Sequence, residues 1–264
     1  MQLPLFDHDL NSRSEFTPGD LMESVRVARN LAEEPVPPIC ILEFDGDLTD
    51  WLIEQGIAKA FPAWSCFHTT LYSIDLGRSK CGIVARTIGG PYAVLIAEQL
   101  LAAGAQLIVG LTSAGRVNPS LPLPCMVVAS AAVRDEGTSY HYLPPAEIVP
   151  CPIPIGGFLC AELQNLGAVR EGAVWTTDAP YRETKSQLHK WAEKGVLAVE
   201  MQAASLFALA TARNANIAVV AMISNAVDYK GDQFNKGSSE QGLRVIEAIV
   251  RAGEEFLRAA GCEP

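Results

Sequence analysis

The chain has 264 residues, 49% of them hydrophobic and 19% charged, with a formal net charge of −10. That length and apolar content fill the core of one large α/β domain or two small ones and exclude a disordered chain. The acidic balance, with no basic run interleaved with aromatics, excludes a phosphate-backbone partner, so no nucleic acid is expected.

Residues 1–16 contain neither a basic n-region nor an apolar h-region, and no apolar run approaches the ~18 residues that span a bilayer. No membrane partner is expected, and the expected location is the cytoplasm. The seven cysteines (Cys40, Cys66, Cys81, Cys125, Cys151, Cys160 and Cys262) are odd in number and form no CxxC pair. They are expected to be reduced, with no metal site.

Residues 1–38 read as an N-terminal helical extension: a polar opening, a helix announced by Thr17-Pro18-Gly19-Asp20 and running to about Glu33, then the stop Pro35-Val36-Pro37-Pro38. Leu21, Val25, Ala28 and Leu31 make one apolar face, to pack on the main body or on a neighbouring subunit. Residues 39–264 read as one unit without linker or internal repeat. Residues 39–43 are its first buried strand and Phe44-Asp45-Gly46-Asp47 the turn at its end; residues 51–61 suggest a helix, and residues 67–76 alternate as a strand.

Residues 82–119 are the stretch around which the other segments make sense. A strand over 83–85 leads to the turn Ile88-Gly89-Gly90-Pro91, which opens a helix over 92–103 stopped by Gly104. A second buried strand over 106–111 ends in a second glycine turn, Thr112-Ser113-Ala114-Gly115. Such a unit implies parallel strands joined by a right-handed crossover, with ligands beyond the strands' carboxyl ends. Both glycine turns fall there. Gly89 and Gly90 either offer unpaired N–H groups to an anion or a sugar oxygen, or let helix and sheet approach closely.

Beyond Pro119 the pattern predicts a strand over 125–132, a polar segment over 134–142, and a proline-rich rim loop over 144–154 with no regular structure. A helix over 158–166 and a strand over 173–177 follow, the latter ending in Thr177-Asp178-Ala179-Pro180-Tyr181-Arg182. Then come a helix over 185–194, a strand over 196–199, and Glu200-Met201-Gln202 leading into an alanine-rich helix to about 212. A buried strand over 217–223 ends in Ser224-Asn225-Ala226-Val227-Asp228, and an amphipathic helix over 237–260 closes the chain. The polar clusters gather along one edge of a parallel-rich sheet, where sites form.

Five segments, in this order and spacing, carry a resemblance: Gly46-Asp47; Ile88-Gly89-Gly90-Pro91; Thr112-Ser113-Ala114-Gly115; Glu136-Gly137-Thr138-Ser139-Tyr140-His141-Tyr142; and Val199-Glu200-Met201-Gln202-Ala203-Ala204. From about Ile39 to the C-terminus the chain resembles the nucleoside phosphorylases and nucleosidases of the uridine phosphorylase and bacterial purine phosphorylase type. The resemblance implies an α/β phosphorylase/hydrolase-like fold in three layers, its twisted, mostly parallel mixed sheet curling toward a barrel and flanked by helices. It also implies homo-oligomers (dimers, trimers or hexamers) and cleavage of the N-glycosidic bond of a small-molecule nucleoside, with phosphate or water as acceptor and no cofactor.

That cleavage passes through a cation-like ribose. The site must therefore grip the sugar hydroxyls, place a nucleophile under the anomeric carbon and neutralise charge on the departing base. Glu200-Met201-Gln202 resembles the family's ribose-holding Glu-Met-Glu, with Met201 either against the sugar face or an ordinary core methionine. Gln202 replaces the second carboxylate with an amide that hydrogen-bonds but brings no charge to favour the cation. Asn225 stands where purine-cleaving relatives carry the aspartic acid that protonates the base and uridine phosphorylases an asparagine; Asp228 is the nearby group able to act as acid, or else a turn cap. Asp178 and Tyr181 fall in the segment that resembles base recognition. There Tyr181 or Trp175 substitutes for the stacking aromatic, unless Trp175 is plain core. Thr112 and Ser113 belong with the substrate-binding residues, and His141 matches a histidine that contacts the ribose 5′-hydroxyl, often across a subunit interface.

Phosphorylases of this type resemble one another in two arginines, and their positions here fall at or next to Asp50 and at Val109 or Gly110. Neither is cationic. Arg86 and Arg116, which flank the glycine turns, are the candidates to join Gly89 and Gly90 in binding an anion, or are exposed or interface arginines. The family's nucleosidases carry a water-activating glutamate near the first position. Asp50 resembles it, with Asp47 and Glu43 in reserve. The chain is thus either an enzyme of the glycosyltransferase/nucleoside phosphorylase class, nucleosidase-type hydrolysis included, or a non-catalytic nucleoside-binding protein on the same scaffold.

Overall fold

Runs of β-branched and other apolar residues without polar interruption, such as Ile39-Cys40-Ile41-Leu42, can form strands only where both sheet faces are covered. The computed structural model, which describes residues 3–7, 9–77, 79–226 and 237–261, places them so. The chain order is α1 (Pro18–Arg29), β1 (Ile39–Glu43), α2 (Asp47–Glu54), β2 (Ala58–Ala60), β3 (Leu71–Asp75), β4 (Lys80–Ala85), α3 (Gly90–Ala102), β5 (Leu107–Arg116), β6 (Cys125–Asp135), β7 (Ile148–Pro150), α4 (Gly156–Leu163), β8 (Val169–Thr177), α5 (Lys185–Glu193), β9 (Ala198–Glu200), α6 (Ala203–Arg213), β10 (Ile217–Ala226) and α7 (Ser239–Ala259).

The ten strands among the described residues join one mixed sheet. β1 lies parallel between β4 and β5, and β10 runs parallel to β5. β10 then pairs antiparallel with β6, β6 parallel with β8, and β8 parallel with β9. β9 returns antiparallel to the last two residues of β5, which closes a ring of five strands. β1, β4, β3 and β2 extend from it as an open wing. Side chains alternate across the sheet: Cys40, Leu42, Ile108 and Val219 pack with the helices α3 and α6, while Ile39, Ile41, Val109 and Val220 pack with α4 and α7. The result is three layers, as expected, with the sheet curled into a small barrel.

Several local expectations are corrected. β5 does not stop at Leu111 but continues through Thr112-Ser113-Ala114-Gly115, because β10 pairs with it along that length. The proline-rich stretch contains β7, which pairs with the edge of β6 where Pro150 needs no ladder N–H. The segment 51–61 is the tail of α2, the left-handed Gly56 at φ 68 and then β2. The strand expected over 67–76 begins only at Leu71. α1 ends at Arg29, since Asn30 adopts φ 52 and terminates it. Its Thr17–Asp20 capping box forms, but its buried residues are Met22 and Val25, with Ala28 exposed. Met22 joins the same core as α3, so this helix packs on its own chain.

Among the described residues six cysteines are free thiols. Burial pushes the Cys40 and Cys81 thiols well above their ordinary range, which leaves them unreactive. No helix among the described residues is long and apolar enough to cross a membrane.

Candidate functional site

β1, β4, β5 and β10 run in one direction, so Glu43, Ala85, Arg116 and Ala226 end at one edge. At the end of β1, Glu43 Oε1 accepts from Gly46 N at 2.7 Å, and Oε2 accepts from Thr49 N at 3.3 Å and Thr49 Oγ1 at 2.9 Å. These bonds fold the turn and start α2, whose N-cap Gly46 has φ 94. Burial pushes the Glu43 carboxyl above its ordinary range, against the opposing hydrogen bonds from Gly46 and Thr49. Asp45 reaches across to β5, accepting from Ser113 N at 3.1 Å and Ser113 Oγ at 3.0 Å. Between these elements lies a cavity of about 150 Å³ lined by Glu43, Asp45, Asp47, Thr112, Ser113 and Met222 among others, with no lysine or arginine among its described lining. Asp50 is not on that wall. It is half-exposed and ion-paired with Arg86, whose side chain lies over Gly46, where a Cβ would come within 2.6 Å of Arg86 Cγ.

The other anion candidates are Gly89, Gly90 and Arg116. Gly89 takes φ 87 and begins α3, but Gly90 is buried, and a Cβ there would lie 2.2 Å from Ser205 Oγ and 3.2 Å from Thr138 Oγ1. Its absent side chain lets α3 meet α6 and the 138–141 turn, the close-approach alternative of the two readings. Arg116 donates to Leu121 O at 3.3 Å.

The ring of strands assembles a second group. Gly115 pairs with Asn225 on β10 and with Val199 on β9, so the second glycine segment lies between Asn225 and the residues that precede Glu200-Met201-Gln202. Glu200 turns back into α6: Oε2 accepts from Gln202 N at 2.7 Å and Ala203 N at 2.8 Å, and Oε1 accepts from Thr176 Oγ1 at 2.5 Å. Thr176 Oγ1 accepts in turn from Ala204 N at 2.9 Å. Burial raises the Glu200 carboxyl to about 7, opposed by those hydrogen bonds and assisted by the charge of Glu136. Met201 is half-buried, and Gln202 is buried, its Oε1 accepting from Met201 N at 3.2 Å. Asp228 lies outside the described residues.

The third group is the 3-10 turn Thr138–His141 and its surroundings. Asp178 Oδ2 accepts from Gly137 N at 2.9 Å, which ties the end of β8 to this turn. His141, Asp178 and Thr138 line a cavity of about 460 Å³ together with Leu5 from the extension and Val94 and Leu95 of α3. Tyr181 is 100% exposed and stacks on no ring among the described residues. Trp175 is core: fully buried against Trp191, with Nε1 donating to Asp135 at 3.0 Å. Larger than either cavity is a cleft of about 580 Å³ between residues 12–18 and the C-terminal ends of α3 and α6, and it holds none of the candidate residues.

Sequence reasoning passed over Asp45, Thr176, Ser205 and Glu136. Asp45 and Glu136 stood inside quoted segments, so the signal was present. Thr176 and Ser205 gain their roles only from packing of β8 and α6. Among the described residues no group of three His, Cys, Asp or Glu could hold a metal ion.

A model of the phosphorylase superfamily matches residues 38–256. An uncharacterised protein of Acanthamoeba polyphaga mimivirus is 30% identical over 187 residues, covering 66% of this chain and 73% of its own. A guanosine phosphorylase of Halorubrum lacusprofundi is 27% identical over 177 residues, covering 64% and 72%. The crystal structure of uridine phosphorylase from Vibrio fischeri ES114 shares the fold, with a TM-score of 0.65 at 21% identity over 84% of this chain and 89% of that one.

Proposed function

The chain belongs to the phosphorylase superfamily, and on that footing we propose that it cleaves the N-glycosidic bond of a nucleoside of the uridine or purine type. The observation that carries this reading is the pairing of Gly115 with both Asn225 and Val199, which brings the second glycine segment, the base-side asparagine and the Glu200-Met201-Gln202 hinge to one strand end. Met201 and Gln202 bear on the sugar. Glu200 serves them indirectly: Oε2 fixes the start of α6, and Oε1 holds Thr176, whose Oγ1 accepts from Ala204 N. An asparagine at position 225 is able to hydrogen-bond a departing base but not to protonate it.

Water is the acceptor that the open edge favours. A phosphate dianion in the cavity at the end of β1 would sit beside Glu43, Asp45 and Asp47. At ~4 Å each such like-charge pair costs roughly 4 kcal/mol at a near-surface dielectric. Asp47, on the cavity wall, is then the carboxylate that activates water, in place of Asp50. The test is glycosidic cleavage assayed across pyrimidine and purine nucleosides with and without phosphate. Turnover without phosphate supports hydrolysis, and strict phosphate dependence rejects it. Absence of product under every condition, with nucleoside binding intact, leaves the non-catalytic binding protein as the correct reading.

A further inference from the structure

Glu136 is a buried carboxylate that none of the steps above uses. It is 7% exposed, and its Oε2 accepts from Ser139 N at 3.0 Å and from Ser205 Oγ at 2.5 Å. Those two bonds join the turn that carries His141 to the first turn of α6, directly after the N-cap residue Gln202. The other oxygen, Oε1, is buried without a hydrogen-bond partner among the described residues. Arg134, two residues before it, directs its guanidinium to Ser139 Oγ, Pro144 O and Leu143 O and lies over the Tyr140 ring. Gly90 keeps the place open for Ser205, whose hydroxyl would collide with any Cβ there.

A glutamine would make the same two hydrogen bonds without the cost of burying a charge. What the carboxylate adds is negative charge, beside a hinge where Gln202 stands in place of a carboxylate and Glu200 has turned its oxygens to Thr176 and the start of α6. Gln202 is neutral, and the amino end of α6 carries a positive dipole end, which by itself disfavours a cation at the hinge. We infer that Glu136 is a positioning residue of the proposed reaction: it holds the Met201–Gln202 hinge against the His141 turn and supplies, from behind the first turn of α6, the negative charge that Gln202 does not bring to the cation-like sugar.

The inference rests on the N-glycosidic reading. The ribose becomes cationic only on the way to the transition state, so the charge acts on kcat and hardly on KM. Ser139 N and Ser205 Oγ keep their acceptor in Glu136→Gln, so the fold is retained.

The experiment compares wild type, Glu136→Gln, Gln202→Glu and the double variant, using a nucleoside that the wild type turns over and recording kcat, KM and melting temperature. Glu136→Gln is expected to lower kcat by on the order of 10–100-fold, with KM within about twofold and no fall in melting temperature. The double variant is expected to regain most of that loss, because Gln202→Glu returns the charge at the hinge itself. Unchanged kcat in Glu136→Gln overturns the inference and leaves the function standing. So does a loss that tracks a lower melting temperature and is not recovered by the double variant. A wild type that cleaves no nucleoside overturns the underlying reading, and the inference with it, before any variant is compared.

Discussion

Glu43 and Glu200 each end a buried strand, and each turns its carboxylate onto the backbone N–H groups that follow. Burial raises both carboxyls. The difference is what lies beyond them. Past Glu43 the turn opens onto a cavity, and Asp45 and Asp47 add two more carboxylates to its wall. Past Glu200 the chain closes: Thr176 and the first turn of α6 take up the carboxylate, and Ser205 and Gly90 pack behind it. A glutamate at a strand end is thus a cap in both places, and of the cavities described above Glu43 lines one and Glu200 none, so the same local chemistry acts directly at one edge and indirectly at the other.

The largest effect is expected at the open edge. Asp47→Asn should lower hydrolytic turnover by roughly 10²–10⁴-fold, the usual contribution of a positioned general base. Its melting temperature should hardly move, because Asp47 is exposed at the start of α2. Turnover within a few-fold of wild type would remove Asp47 as the activating group and erase the functional contrast between the two edges.

At the closed edge stability responds instead. Gly90→Ala puts a methyl 2.2 Å from Ser205 Oγ and 3.1 Å from Ser205 Cβ, so that either the hydroxyl turns away from Glu136 or α3 shifts from α6. Overpacking of this kind costs about 1–3 kcal/mol, or roughly 2–4 °C of melting temperature per kcal/mol in a chain of this size. If calorimetry shows the variant as stable as wild type, α3 and α6 are not tightly apposed there, and the turn regains room for a ligand.

The Glu200 carboxyl gives the comparison a pH signature. Its folded value of about 7 lies above the ~4.3 of an unfolded glutamate, so the folded state holds the proton more tightly. The stability this contributes is complete below the unfolded value and is lost as pH rises from there through about 7. Glu200→Gln should therefore remove part of the fall in melting temperature between pH 5 and pH 8, whatever it does to the absolute value. Parallel curves for wild type and variant would mean that Glu200 does not titrate in that window.

The sequence carries the sheet's order of elements better than their ends, and the reason is pairing. Residues 217–223 read as buried strand because their apolar run is uninterrupted, but the extension of β5 through Thr112-Ser113-Ala114-Gly115 depends on β10 lying beside it, which no local pattern encodes. β7 was hidden for the same reason, since three residues among prolines form a strand only against β6. In the site, Glu200-Met201-Gln202 and the His141 turn come to strand ends as their positions suggest, whereas Thr112-Ser113 lie inside β5 and not past its end. Their side-chain duties were not legible. That Glu200 faces α6, that Gly90 makes room for Ser205, and that Asp45 bonds Ser113 are consequences of packing between elements far apart in the chain.

The smallest effect tests the same point at a single carboxylate. Asp50 has the spacing of a water-activating group, yet it is half-exposed, paired with an equally exposed Arg86, and off the wall that Asp47 shares with Glu43. An exposed pair of this kind contributes about 0–1 kcal/mol, and salt screens it further. Asp50→Asn should accordingly leave turnover within about twofold and the melting temperature nearly unchanged, with any small difference vanishing at high salt. A loss of turnover as deep as that expected for Asp47→Asn would place the activating carboxylate outside the cavity, on the exposed flank of α2. Arg86, released from its partner and lying over Gly46, would then be the cation to examine as an anion ligand, and the phosphate-dependent reaction would gain over hydrolysis.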